Sequence, residues 1–83
     1  MPIFGYTKQT ADEDSPSEMK EVTLDVPLGE LRRVAAFLVD CADRAESGEW
    51  RSSHRHIGDY DRGWTDCDVI VMHPSPEPPL RVG

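Results

Sequence analysis

Apolar residues along the chain fall into one long helical stripe and two shorter runs with strand spacing. Between Leu28 and Ser47, residues Leu31, Val34, Ala35, Leu38, Cys41, Ala42 and Ala45 recur at helical intervals, while Glu30, Arg33, Asp40, Asp43, Arg44 and Glu46 populate the other side. Glu30 in the first turn suits the helix dipole, and Gly48 suits a left-handed C-terminal cap. Pro27 offers no capping side chain and Gly29 is a poor helix former, so burial of the stripe has to carry this helix. Glu21-Val22-Thr23-Leu24-Asp25-Val26 alternates at period two, which predicts a half-buried strand ended by Pro27. Cys67-Asp68-Val69-Ile70-Val71-Met72 is a β-branched run of the kind found in a strand covered on both faces.

Between helix and final run, His54, His56 and Gly58 alternate with Arg55, Ile57 and Asp59, which predicts a polar strand within 49–60, and residues 61–66 read as a turn. Ile3 to Thr7 supplies a further short strand at most. The expected fold is therefore α+β: a small three- to four-stranded sheet in (β)βαββ order, with one amphipathic helix packed on a face. Strand 22–26 and the strand after the helix would be parallel if adjacent, and the last two strands form an antiparallel hairpin. The expected organisation is an optional strand in 1–7, an acidic linker or loop in 8–19, a globular α+β unit in 20–73 and a disordered proline-rich tail in 74–83.

Eighty-three residues make one domain with a modest core and marginal stability. Sixteen acidic residues against nine Lys and Arg give a net charge of −7. That balance argues against nucleic acid and anionic membrane as partners and favours a basic protein. No stretch has the apolar length of a membrane span or the layout of a signal peptide, and Cys41 and Cys67 read as reduced thiols, so a cytoplasmic location is expected.

Candidate chemistry is sparse. His54 and His56 point to the same side of a strand and can approach one metal ion, but Asp59 falls on the opposite parity and no further ligand is well spaced. Asp66 and Asp68 are two carboxylates on a wet loop, where both stay ionised. Cys67 near His54 or His56 lacks an orienting third group and an oxyanion motif. No residue set meets the demands of a nucleophile, a base and a stabilised charge, so neither an enzyme nor a cofactor is expected. Trp50, Tyr60 and Trp64 lie in polar surroundings among Arg51, Arg55 and Arg62. Such aromatics either cover the end of a thin core or anchor a protein interface.

The strings Glu30-Leu31-Arg32, Ala36-Phe37-Leu38, Cys41-Ala42-Asp43 and His54-x-His56-x-x-Asp59-Tyr60, followed by Trp64 and Asp68-Val69-Ile70-Val71, resemble the bacterial immunity protein 32 family from about Glu21 to Met72. That resemblance implies a cytoplasmic antidote of a polymorphic toxin system, which binds and blocks a toxin domain. The family pattern carried over takes in His54, His56, Asp59, Tyr60 and Trp64. The chain departs from it with Pro27, Leu28 and Gly29 at the helix start, an N-terminal extension and a proline tail. The expected function is steric occlusion of a basic cognate toxin, a nuclease fitting the charge, through Asp59, Tyr60, Asp61, Trp64, Asp66 and Asp68. The alternative is a small metal-binding module using His54 and His56, or a homodimeric regulatory or structural module.

Overall fold

The computed structural model describes residues 1–8 and 15–73. Its element order is β1 (Phe4–Gly5), β2 (Ser17–Glu18), α1 (Leu28–Ser47), β3 (His54–His56), α2 (Ile57–Tyr60) and β4 (Ile70–Met72). The described residues thus form a small α+β domain with one main helix and two small antiparallel sheets. The β1–β2 ladder pairs Phe4 with Glu18 and Gly5 with Ser17, and β3–β4 pairs His54 with Met72, Arg55 with Val71 and His56 with Ile70.

Helix α1 has the bounds its periodicity predicts. Leu31 donates its backbone N–H to the Pro27 carbonyl at 2.9 Å, but no side chain caps that end. At the other end Gly48 sits at φ 79°, the left-handed conformation that a side chain makes costly, and Glu49 donates back to the Arg44 carbonyl at 2.9 Å.

The core consists of Val34, Phe37 and Cys41 from α1, Trp50 from the following loop, and Ile57 from α2, with Ala45, Trp64, Val69 and Val71 packed around it. The buried face of α1 is rotated from the one its periodicity marks. Phe37 is fully buried, whereas Leu31 and Leu38 keep 44% and 45% of their surface exposed. The cause is a second layer only one helical turn and two three-residue strands wide, which covers the side of α1 centred on Phe37 and reaches no further.

The sheet departs most from expectation. Two separate two-stranded ladders stand in place of a single three- to four-stranded sheet, and Glu21–Val26 joins neither. Val22 and Leu24 are exposed. Alternation marks which side of a strand prefers burial but supplies no edge to pair with. β3 is only three residues long, too short to support a six-residue parallel neighbour. β2 falls inside the stretch expected to be linker, held by its ladder to β1 and by the Met19 N–H donated to the Ile3 carbonyl at 2.6 Å. The polar strand expected within 49–60 shrinks to β3 and turns at once into α2. Ile57 spends its N–H on the Val69 carbonyl at 2.8 Å, and its own carbonyl accepts from Asp61, also at 2.8 Å, closing the helical turn. β4 is covered on one face only, with Ile70 and Met72 exposed, because among the described residues no second layer lies on its other side. The rest of the acidic linker (9–14) and the proline-rich tail (74–83) lie outside the described residues.

Among the described residues no helix is long and apolar enough to cross a membrane. Cys41 and Cys67 are both free thiols, the first buried and the second exposed.

Candidate functional site

The residues expected to form a contact face lie on α2 and the loop that follows it, and four of the six are aspartates. Each aspartate has a partner. Asp59 accepts from the backbone N–H of His56 at 3.2 Å, tying the start of α2. Asp61 accepts two bonds from the Arg33 guanidinium, one from Nε and one from Nη2 at 2.6 Å, and a third from the Gly63 N–H at 3.2 Å. Asp66 accepts from the Cys67 N–H at 2.6 Å. Asp68 meets Nδ1 of His56 at 2.7 Å.

The two aromatics serve different ends. Trp64 is partly buried: its indole N–H donates to the Cys67 carbonyl at 2.8 Å and its ring lies 5.3 Å from the Arg33 guanidinium carbon. Tyr60 packs on Phe37 at a ring separation of 6.1 Å yet leaves 42% of its surface open. The six residues thus form one continuous stretch. Asp59, Tyr60, Asp66 and Asp68 are exposed, and Asp61 and Trp64 are clamped to α1 through Arg33. Arg33 is the member that sequence reasoning missed, because 28 residues separate it from Asp61 and no local pattern links them.

Hydrogen bonding from Arg33 holds the Asp61 carboxyl below the usual carboxylate range, against the opposing effect of desolvation. Folding therefore favours the ionised form. The stabilisation is present above the unfolded pKa of about 3.9 and is lost as pH falls through the lower folded value. Asp61→Asn is expected to lower the urea midpoint at pH 7, and the difference is expected to shrink steadily as pH falls below the unfolded value of about 3.9. Equal losses at both pH values would show that the charge of Asp61 is not what matters.

His54 and His56 share one face of β3, as their spacing requires, with ring centroids 5.0 Å apart. Nδ1 of His54 bonds to Ser53 Oγ at 3.0 Å, and Nδ1 of His56 is engaged by Asp68. Among the described residues no three His, Cys, Asp or Glu side chains converge as a metal site would need.

A second feature adjoins the acidic stretch at Asp59 and is built around Arg55 of β3. Trp50, placed by its sequence surroundings equally well in a core or an interface, is a core residue at 4% exposure. Arg55 lies over both Trp50 and Phe37, 5.7 Å from each ring centre, and its guanidinium binds Asp40 at 2.8 Å. Desolvation pushes the Asp40 carboxyl up, but hydrogen bonds from Arg55 and Arg44 outweigh it and the net direction is down. Arg44, Arg51, Arg55, Ser52, Glu49, Asp59 and Trp50 line a cavity of about 280 Å³ here. Its lining is of mixed charge, and two of its arginines, Arg44 and Arg55, are held by Asp40 beside it, so it is a crevice of the core rim.

No protein-family model, curated protein or solved structure matches the chain.

Proposed function

We propose that this protein is an immunity protein, an antidote that binds a basic toxin domain and occludes its working surface. The observation that carries this reading is the ordered acidic stretch from Asp59 to Asp68. It holds four aspartates against the single Arg62, each fixed by a hydrogen bond, with the ring of Tyr60 open beside them. A face ordered before binding loses little conformational entropy on docking, and exposed aromatics beside charge are favoured anchors. The net charge of −7 and the resemblance to immunity protein 32 point the same way. In this reading Asp59, Tyr60, Asp66 and Asp68 touch the toxin, while Asp61 and Trp64 position them through Arg33. A nuclease, whose active cleft is basic, is the toxin class that best complements this face. The protein acts in the cytoplasm and performs no chemistry of its own.

The test is protection. A basic protein captured by the tagged chain from lysate of the cells that carry it is expressed alone and then together with this chain. Rescue of growth by co-expression is the expected result, and continued killing despite a formed complex would refute the antidote reading. Reversing two charges, Asp66→Lys with Asp68→Lys, is expected to slow association with the captured toxin by about tenfold or more at low salt, with the gap closing as salt rises. Stopped-flow measurement across an ionic-strength series reads this directly. An unchanged association rate would move the contact face elsewhere.

A further inference from the structure

Helix α1 carries two apolar seams, and among the described residues one of them is buried. The inner seam, Val34, Phe37 and Cys41, enters the core. The outer seam runs Leu28, Leu31, Ala35, Leu38 and Ala42, an alternating three- and four-residue spacing that continues to Ala45 at the edge of the core. It is the heptad pattern that pairs helices along a common stripe. Leu28, Leu31 and Leu38 keep 64%, 44% and 45% of their surface exposed, and Val39 beside them 60%.

We infer that the outer seam of α1 binds a second copy of this chain in an antiparallel, two-fold symmetric helix pair. The order of large and small side chains selects the occupant. Antiparallel pairing about a two-fold axis between Ala36 and Phe37 sets Leu38 opposite the partner's Ala35, Leu31 opposite the partner's Ala42 and Leu28 opposite the partner's Ala45. Each leucine thus meets an alanine, so the layers interlock at close range. Parallel pairing would stack leucine on leucine and leave gaps between alanines.

Charge gives the same answer. Arg32 and Glu46 border the seam on one side, Arg32 near its start and Glu46 near its end. Antiparallel pairing puts the two on the same side of the seam and brings each toward the opposite charge on the other copy, whereas parallel pairing places Arg32 and Glu46 of the two copies on opposite sides. The helix dipoles also oppose favourably. One seam of a single twenty-residue helix is the whole contact, and the expected dimer is a weak one, of about micromolar affinity, that forms and separates with concentration. The seam lies on the flank of α1 that faces away from Arg33, the residue that holds Asp61 of the Asp59–Asp68 stretch.

Sedimentation equilibrium of the full chain from about 1 to 500 µM tests this, the upper end lying well above a micromolar dissociation constant. The expected mass rises from 9.3 kDa toward twice that value. Leu31→Glu with Leu38→Glu is expected to weaken dimerisation by roughly 100-fold or more, because symmetry places every new charge in the seam twice, while the helical circular dichroism stays intact. If that double variant loses its helical signal, Ala35→Glu alone serves the same purpose, since Ala35 is exposed and outside the core. Orientation follows from mixing Leu31→Cys chains with Ala42→Cys chains in a Cys67→Ser background, where the mixed disulfide should dominate over either symmetric one. A chain that stays monomeric to the highest concentration overturns the inference. So does a dimer indifferent to charges in the seam, or crosslinks that join like positions.

Discussion

Replacing Phe37 by alanine should leave the domain largely unfolded at room temperature. Phe37 is fully buried at the centre of a core of only five buried residues among those described, between Val34 and Cys41 on its own helix and against Ile57 and Tyr60 across from it. Truncating a buried phenylalanine costs about 3–5 kcal/mol, the lost transfer energy plus the unfilled space. A domain of this size has only about 5 kcal/mol in total. The neighbours cannot close the gap cheaply, because Arg55 lies over the same ring and is fixed by Asp40. Urea denaturation followed by circular dichroism should find no folded baseline for Phe37→Ala and a weakened but cooperative transition for Phe37→Leu. A Phe37→Ala chain whose midpoint stays within a few tenths of a molar of the parent would mean that the core lies elsewhere.

Loss of Arg55 should be the largest effect from any charged side chain. Arg55 is only 14% exposed, lies over two aromatic rings and pairs with Asp40 at 2.8 Å. Cation–π contacts contribute about 0.5–2 kcal/mol each, with the larger values reached where the cation is shielded from water. Arg55→Ala removes both contacts together with the packed stem, and it leaves Asp40 with Arg44 alone, which adds up to roughly 2 kcal/mol or more. The conservative variants separate the contributions. Arg55→Met keeps a stem over the rings without charge, and Arg55→Lys keeps charge without a planar group. Each is expected to recover part of the loss and neither all of it. A thermal midpoint for Arg55→Ala equal to the parent's would reduce Arg55 to a surface residue and remove this account of the core rim.

What could be read from the sequence was whatever is local. Helix α1 was legible to the residue, since its periodicity runs for twenty residues and Gly48 marks its end. The β3–β4 hairpin was legible in kind, with its ladder shorter than the text around it. Glu21–Val26 misled because alternation says how a strand would face and nothing about whether an edge is free to receive it. The buried side of α1 was ambiguous for a related reason. Its apolar arc is wider than one packing layer, and only the width of α2 and the two short strands decided that Phe37 goes in while Leu31 and Leu38 stay out. The acidic stretch was legible as composition. Its rigidity was not, because Arg33 lies 28 residues from Asp61 and His56 lies 12 from Asp68.

The two thiols give this small fold an internal clock. Cys67 is exposed, while Cys41 is buried and its thiol is pushed up by desolvation, against the opposing pull of Arg55. An alkylating reagent therefore modifies exposed Cys67 in the folded state but reaches Cys41 only when α1 separates from the layer beneath it. When closing outruns the chemistry, which a ratio independent of reagent concentration shows, the ratio of the two rates measures the fraction of time the core stands open. Breathing of the native state can thus be followed from within the unaltered chain, with one cysteine as the standard for the other.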